Sequence, residues 1–179
     1  MCSTSASDVN EVKEALAQLE QTLKNARENG DKKAYSLNPL QLEAAELAVS
    51  EKFSVICGGP GTGKTTTVVK FIEAFLEIHP KGIIQMCAPT GKATSRLLES
   101  VKNQADAGPS SAPYYPAVRK ALAEDRLTSL TIHKLLVTDL SNGKRPSADN
   151  PIEADLLIVD ESSMIAVSYT HLTLPTTSR

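Results

Sequence analysis

The residues with the clearest chemistry lie between Gly58 and Thr65, where the sequence reads Gly-Gly-Pro-Gly-Thr-Gly-Lys-Thr. This spacing is typical of a phosphate-binding loop, G-x-x-x-x-G-K-[ST]. Glycines allow the backbone to wrap closely around a phosphate and to point several N–H groups towards it. In such a loop Lys64 would contact the β- and γ-phosphates of a nucleotide, and the hydroxyl of Thr65 would bind Mg²⁺. The predicted nucleotide-binding residues are Gly59, Pro60, Gly61, Thr62, Gly63, Lys64, Thr65 and Thr66.

The segments on either side of the loop are of the types that would hold it in place. The apolar run Phe53–Cys57 predicts a strand that ends at the loop. Apolar residues at helical spacing then predict a helix, and these residues are Val68, Val69, Phe71, Ile72, Phe75 and Leu76. The loop would therefore open a helix whose N-terminal dipole faces the phosphates. This frame argues against the alternative of a glycine-rich turn without a ligand.

Two carboxylates provide a second candidate element of the site. Asp160 and Glu161 follow the apolar run Leu156–Val159, which predicts a buried strand. In a chain with a phosphate-binding loop, Asp160 can hold the Mg²⁺ shell and Glu161 can orient the attacking water. The alternative is a pair of acids at a solvent-facing strand end. We predict that Lys64, Asp160 and Glu161 are the catalytic residues, and that Thr65 and Asp160 bind the metal.

A second strand–loop–helix unit predicts the fold class. Residues 83–88 form an apolar run, Pro89–Lys92 form a loop, and a helical pattern follows with Ala93, Leu97, Leu98 and Val101. A brief strand at 129–132 leads into His133. Repeated units of this kind are typical of an α/β protein with a doubly wound parallel sheet. Its ligand-binding loops gather where the strands end.

Composition excludes several classes of protein. The chain has 179 residues, a formal net charge of -2 and 22% charged residues, so it lacks the global basic signature of many nucleic-acid binders. No apolar run approaches the roughly 18 residues of a membrane helix, and the N-terminus has no secretion-signal pattern. Cys57 and Cys87 lie in strand-like runs and are predicted to be core residues in a reducing compartment. These features predict a cytoplasmic protein.

Three further segments have less specific patterns. Residues 9–28 predict an amphipathic helix, capped by Ser7 or Asp8, which packs on its own domain or alternatively contacts another subunit. A second helix is expected from about Leu40 to Ser50, with Gln41 in its first turn. Tyr114 and Tyr115 lie in a loop rich in proline, alanine and serine. They are expected to pack locally, although aromatic residues of this kind can also stack on nucleic-acid bases.

Five motifs occur together and in order. They are Asn38–Gln41, Gly58–Thr67, Ala88–Ala93, Thr131–Leu136 and Val159–Met164. In this combination, over about residues 36–165, the chain resembles the first motor domain of the RecD helicases. These belong to superfamily 1B and include the alpha subunit of bacterial exodeoxyribonuclease V. The resemblance implies a three-layer RecA-like domain with a mainly parallel central sheet.

The resemblance also implies roles for individual residues. Gln41 matches the helicase glutamine that reads the adenine edge, so the nucleotide would be ATP. Pro89 and Thr90 match a motif whose loop touches the backbone of single-stranded DNA, and Thr131 and His133 match the next DNA-contacting motif. An alternative for His133 is a helix-start residue without a ligand.

The resemblance divides the chain into three parts: an N-terminal helical segment at 1–35, an incomplete ATPase motor domain at 36–166, and a tail at 167–179. The tail resembles a translated sequencing adapter and is expected to be non-native. The family has a second motor domain, which supplies an arginine to the ATP site, so we expect this chain to be a fragment that binds ATP but turns it over poorly.

The implied function is that of a 5′–3′ DNA helicase or translocase in recombination and repair. The implied partners are DNA and the nuclease and scaffold subunits of an exodeoxyribonuclease V complex. Three alternatives remain open: a free-standing RecD-like helicase, a nucleotide-binding interaction module without turnover, and a P-loop enzyme that acts on a small molecule. The motifs at Pro89–Lys92 and Thr131–His133 argue against the last of these.

Overall fold

A computed structural model describes residues 6–32, 34–58, 61–109, 113–137, 145–147 and 149–162. Gly59, Pro60 and the predicted tail at 167–179 lie outside these ranges. The elements in chain order are α1 (Ala6–Glu28), α2 (Pro39–Ser50), α3 (Lys64–Ile78), β1 (Ile84–Ala88), α4 (Gly91–Ala105), α5 (Pro116–Ala123), β2 (Leu127–Thr131), α6 (Ile132–Val137) and β3 (Leu156–Val159).

The three strands form a parallel sheet in the order β2-β1-β3. Ile84 of β1 pairs with Leu127 on one side and with Leu156 on the other. Every residue of β1 is buried, as expected for the central strand of a parallel sheet that is covered by helices. The predicted α/β class with a parallel sheet is confirmed.

The main hydrophobic core lies between this sheet and the helices α1, α3, α4 and α5. It includes Leu23, Ile72, Met86, Val101 and Val118, all of which are completely excluded from solvent. Burial of one such side chain contributes about 1.5–3 kcal/mol, so the helices are attached mainly through their apolar faces. The core places the first turn of α3, and with it the predicted phosphate-binding loop, on a rigid support.

A second core cluster attaches α1 and α2 to α3. Leu16 of α1, Ala45 of α2 and Phe71 of α3 belong to it. Packing of α1 within this chain agrees with the first of the two alternatives considered for this helix. The predicted cap was wrong, because α1 begins at Ala6 and Ser7 and Asp8 lie inside it. Tertiary packing of the apolar face contributes more to a helix than its cap, and cap preference alone therefore misplaces the start.

The predicted strand at Phe53–Cys57 is absent from the sheet formed by the described residues. Its side chains are not buried either, since Phe53 is 65% exposed and Val55 is 63% exposed. The segment instead runs beside α2, where it lines a shallow cavity together with Ala44 and Leu47. The expectation that Cys57 is a core residue was therefore wrong, whereas Cys87 is buried as predicted. An apolar run indicates burial or pairing in general, but it does not specify the partner strand.

The two tyrosines before α5 pack within the chain, as expected. The Tyr114 hydroxyl donates a hydrogen bond to Asp31 Oδ2 at 2.6 Å, and Tyr115 is buried in the main core. Both tyrosines therefore pack locally. Among the described residues, no helix is both long and apolar enough to cross a membrane.

Candidate nucleotide-binding site

The described part of the phosphate-binding loop contains two glycines in the left-handed region of backbone space. Gly61 has a φ of 75° and Gly63 has a φ of 80°. Residues with a Cβ rarely adopt these values, because the Cβ crowds the following carbonyl oxygen. The two positions therefore require the glycines that the motif provides. Gly63 is the N-cap of α3, so the chain passes directly from the loop into the helix.

Lys64 folds back over the loop. Its Nζ donates a hydrogen bond to the backbone carbonyl of Gly58 at 2.6 Å, which brings its ammonium group to the start of the loop. Thr65 and Thr66 follow in the first turn of α3 and are half-buried. Unpaired N–H groups at a helix start, together with a nearby cation, favour the binding of an anion such as phosphate.

Gln41 connects the loop to α2. Its backbone N–H donates to Asn38 Oδ1 at 2.9 Å, and its Oε1 accepts from the backbone N–H of Asn38 at 3.0 Å. This reciprocal pair is a capping box, which fixes the Gln41 side chain at the start of α2. Its Nε2 donates to the carbonyl oxygen of Thr62 at 2.7 Å. A Cβ built on Gly63 would lie 2.6 Å from the same Nε2, so the glycine is also needed for this close approach.

The acid pair lies at the carboxyl end of β3. The backbone N–H of Asp160 donates to the carbonyl of Cys87 in β1 at 2.9 Å, which extends the sheet by one bond. The Asp160 carboxylate in turn accepts from the backbone N–H of Glu161 at 2.9 Å. Glu161 has a φ of 50°, which is uncommon for a residue with a side chain. Unusual backbone of this kind is concentrated at functional sites.

Both predicted DNA-contacting loops lie at the same edge of the sheet. Ala88 pairs with Thr131 in the parallel register, so Pro89 and Thr90 begin next to the segment that leads to His133. Thr90 Oγ1 caps α4 by accepting from Ala93 N at 3.2 Å, and Thr131 Oγ1 accepts from Lys134 N at 3.2 Å.

Thr94 of α4 links the two strand ends, because its hydroxyl donates to the carbonyl of Thr90 at 2.8 Å and lies 3.4 Å from the carbonyl of Leu130 in β2. Thr90 and His133 are exposed, so both are accessible to a ligand.

The predicted metal ligands are of a chemical type that suits a magnesium nucleotide. Among the described residues, no group of three or more His, Cys, Asp or Glu side chains is placed to hold a metal ion on its own. Mg²⁺ at nucleotide sites is commonly bound by one or two protein groups together with the phosphates, so a complete protein cage is not required. A hydroxyl at Thr65 and a carboxylate at Asp160 supply oxygen ligands of the type that Mg²⁺ prefers.

Contacts join these residues in two sets. Gln41, Thr62 and Gly63 form one set with Lys64 and Gly58, on α2 and the start of α3. Asp160 and Glu161 form the other set, attached through Cys87 to the strand ends that carry Pro89, Thr90 and His133. Gly59 and Pro60 are outside the described residues.

The sequence analysis missed two buried polar contacts of α3. In the sequence, Lys70 and Glu73 lie between apolar residues of α3, which suggests that they face solvent. In the structure both side chains are fully buried. Lys70 Nζ lies 2.6 Å from Glu20 Oε1, and the Glu73 carboxylate accepts from the backbone N–H groups of Ala117 and Val118 at 2.9 and 2.8 Å. One feature of the sequence indicates that Lys70 and Glu73 are buried: the apolar residues of α3 are spread around the helix, so no continuous polar face remains for solvent.

Burial shifts the pKa values of Glu73 and Lys70. Loss of solvation raises the pKa of Glu73 to about 7, despite the two backbone N–H groups that favour its charged form. Loss of solvation likewise lowers the pKa of Lys70, while the hydrogen bond and the charge of Glu20 act in the opposite direction. At 2.6 Å the Glu20 carboxylate is the direct charge partner of the Lys70 ammonium.

Comparison with known proteins agrees with these features. A protein-family profile described as an AAA domain matches residues 41–176, which is more than half of the chain. The RecBCD enzyme subunit RecD of Haemophilus influenzae is 39% identical over 127 residues, or 70% of this chain and 19% of that protein. The subunit of the same name from Mycobacterium tuberculosis (strain H37Rv) is 35% identical over 138 residues, or 72% of this chain and 22% of that protein.

A more limited similarity extends to a eukaryotic protein. The DNA polymerase alpha-associated DNA helicase A of Saccharomyces cerevisiae is 34% identical over 64 residues, or 36% of this chain and 9% of that protein. The chain thus spans about a fifth of the length of the RecD proteins that it matches. It belongs to the AAA-domain family, and its resemblance to the RecD-type helicases is confirmed.

Proposed function

We propose that the protein is the ATP-binding motor part of a DNA helicase or translocase that acts in recombination and repair. The observation that carries the proposal is the conformation of the loop before α3. Two left-handed glycines and the Lys64 ammonium are placed together at a helix start, and Gln41 is attached to the same loop. The similarity to RecD subunits and to a protein named as a DNA helicase supports the choice of DNA as the partner.

Each residue of the site has a definite task in this proposal. Lys64 would contact the β- and γ-phosphates, the N–H groups of the loop and of the first turn of α3 would hold their oxygens, and Gln41 would read adenine. Asp160 and the hydroxyl of Thr65 would hold Mg²⁺, which neutralises charge on the phosphates when bound. Glu161 would orient a water molecule and hold its proton.

DNA would bind at the exposed loops that follow β1 and β2. Pro89, Thr90 and His133 would contact the backbone of a single strand, and a local contact of this kind agrees with the small net charge of the chain. Movement in the 5′ to 3′ direction and assembly with nuclease and scaffold subunits belong to the same proposal, which follows the resemblance to the RecD subunit. Action on chromosomal DNA would place the protein in the cytoplasm.

The resemblance also predicts which steps of the ATPase reaction the 179 residues can perform by themselves. In the family, an arginine from a second motor domain completes the ATP site, and such an arginine contributes roughly 10³- to 10⁵-fold in rate in other NTPases. We propose that the 179-residue chain binds ATP and hydrolyses it slowly, with little stimulation by single-stranded DNA.

The experiment is steady-state ATP turnover with and without single-stranded DNA, together with a strand-displacement assay. Slow turnover that is abolished by Glu161→Gln, while ATP binding is retained, is the expected result. The control is Glu153→Gln, which changes an exposed acid before β3 and should leave turnover unchanged. Strong DNA-stimulated turnover would contradict the proposed need for an arginine from outside the chain, and undiminished turnover in Glu161→Gln would contradict its role.

A further inference from the structure

A buried ion pair holds the chain segment that precedes α2. Lys70 of α3 and Glu20 of α1 are both buried, and their charged groups lie 2.6 Å apart. The second oxygen of Glu20 accepts a hydrogen bond from the backbone N–H of Leu37 at 2.7 Å, and Lys70 Nζ also donates to the carbonyl of Tyr35. The pair therefore fixes both ends of the segment 35–37.

The segment continues directly into the Gln41 contacts. Asn38 follows Leu37, caps α2 and exchanges two hydrogen bonds with Gln41. Gln41 Nε2 then reaches the carbonyl of Thr62 at 2.7 Å. An unbroken series of polar contacts thus runs from the interior of α1 and α3 to the phosphate-binding loop.

Lys70 lies on the same helix as Lys64, about 1.7 turns further along. Both ends of the series are therefore fixed to α3: one end through Lys70 and the other through the loop that opens the helix. Such an arrangement sets the distance between the start of α2 and the loop. Movement at the Lys70 end would break a buried ion pair, and movement at the loop end would break the hydrogen bond from Gln41 to Thr62.

We propose that Glu20 and Lys70 are positioning residues for adenine recognition, acting through segment 35–37 and the Asn38 cap to hold the Gln41 side chain on the loop. The inference rests on the proposed function, in which Gln41 reads adenine. The energetic argument is that a buried ion pair contributes little net stability compared with a well-packed apolar pair. The other hydrogen bonds of Glu20 and Lys70 both go to segment 35–37. We therefore explain the pair by its effect on the position of this segment.

The test compares variants that break the series with one that breaks a similar contact elsewhere on α3. The paired variant Glu20→Gln/Lys70→Met removes both charges together and leaves neither ion buried alone. Glu20→Asp withdraws the carboxylate by one methylene and is used where the paired variant does not fold. Glu73→Gln is the matched control, because Glu73 is equally buried on α3 but bonds to the start of α5.

Two quantities are measured for each variant: the ratio of the Kd for GTP to the Kd for ATP, and the hydrogen-exchange rates of the backbone amides of Leu37 and Gln41. Loss of the positioning contact should reduce the ratio about fivefold, the equivalent of one hydrogen bond. The two amides should exchange faster in the paired variant and in Glu20→Asp. In Glu73→Gln the ratio and both exchange rates should stay as in the unmodified chain.

Three outcomes would overturn the inference. The first is a ratio of the two Kd values that is unchanged in both Glu20 variants but lowered in Gln41→Ala. This outcome would reject the positioning role alone and leave the proposed function intact. The second is an equal loss in Glu73→Gln, which would indicate general destabilisation. The third is equal binding of ATP and GTP by the unmodified chain, which would remove the adenine-reading role of Gln41 and this inference with it.

Discussion

The side-chain amide of Gln41 donates a hydrogen bond to the backbone carbonyl of Thr62 over 2.7 Å. This contact joins the first turn of α2 to the phosphate-binding loop, although the two residues are 21 positions apart in the chain. Because the capping box with Asn38 fixes the same side chain from the other direction, Gln41 has little freedom to turn away from the loop. A nucleotide bound there would meet a side chain that is already oriented.

Gln41→Ala should therefore weaken the binding of ATP and leave the binding of GTP unchanged. The loss of one amide that reads adenine corresponds to about 1 kcal/mol, or about a fivefold smaller preference for ATP over GTP. Competition binding with both nucleotides measures this preference. Gln18→Ala, at an exposed position in α1, is the control and should keep the full preference. A preference that survives in Gln41→Ala would reject the assignment.

The loop glycines provide a test that separates backbone strain from crowding. Gly61→Ala adds a Cβ at a φ of 75° with no atom within 4 Å, whereas Gly63→Ala adds one at a φ of 80° and 2.6 Å from Gln41 Nε2. Strain alone should cost about 1–2 kcal/mol of unfolding free energy, and Gly63→Ala should cost more and also weaken ATP binding. Denaturant unfolding and calorimetric titration measure the two effects.

Gly91→Ala is the control for these variants. Gly91 lies at the start of α4, and a Cβ there would meet nothing within 4 Å. The replacement should be neutral or slightly stabilising because alanine has the higher helix propensity. Equal destabilisation by all three replacements would count against a special role for the loop geometry.

Glu73 predicts a specific dependence of stability on pH. Its pKa is about 7 in the folded chain against an ordinary value of 4.5, so the folded state binds the proton more tightly. The stabilisation from this proton is fully present below pH 4.5 and is lost as the pH rises from 4.5 to 7. Over this range the loss amounts to about 3 kcal/mol from this one group. Burial also raises the pKa of Glu77 on the same helix, which adds to the effect in the same direction.

Glu73→Gln should remove the contribution of Glu73 to this pH dependence. The measurement is the unfolding free energy of both chains between pH 4.5 and pH 7.5, and the difference between them should change by about 3 kcal/mol across that range. Carboxylates that do not interact with Glu73 titrate in both chains and cancel in the comparison, whereas the nearby Glu77 contributes a smaller part through its charge. Parallel curves for the two chains would show that Glu73 has an ordinary pKa.

The cysteines test the position of the segment before the loop. Cys57 is exposed, whereas Cys87 is buried and the loss of solvation raises the pKa of its thiol to about 11. In a Cys2→Ser background, a thiol reagent at pH 8 should modify Cys57 rapidly and Cys87 only after unfolding, because the thiolate is the reactive species. Slow modification of Cys57 would indicate that Phe53–Cys57 pairs as a buried strand after all.

The accuracy of the sequence predictions differs between local and long-range features. Local patterns were sufficient for the positions of α2, α3 and β3, because the start of α2 is marked by Asn38 and Pro39, and α3 and β3 by their apolar residues. The predicted burial of β3 was wrong, since Leu157 and Val159 are each 43% exposed and helices do not cover that side of this strand in the described residues. The strand expected at 53–57 was wrong because the choice between pairing in the sheet and lying beside α2 depends on tertiary contacts.

The buried pair of Glu20 and Lys70 was missed for the same reason. The two residues are 50 positions apart, and no local pattern indicates that they meet. Gln41 presents the opposite case. Its type and its place in a helix start are not specific by themselves. The resemblance to a helicase motif predicts a role for it at the nucleotide, and its side chain contacts Thr62 of the loop.

The most direct test of ATP binding at the loop is calorimetric titration of MgATP into the unmodified chain and Lys64→Ala. Removal of a charge-assisted phosphate contact should raise the Kd at least about tenfold, or about 1.4 kcal/mol. Lys81→Ala, which removes an exposed lysine after α3, should bind as the unmodified chain does. An affinity for MgATP that is unchanged in Lys64→Ala would contradict the assignment of this loop as the nucleotide site.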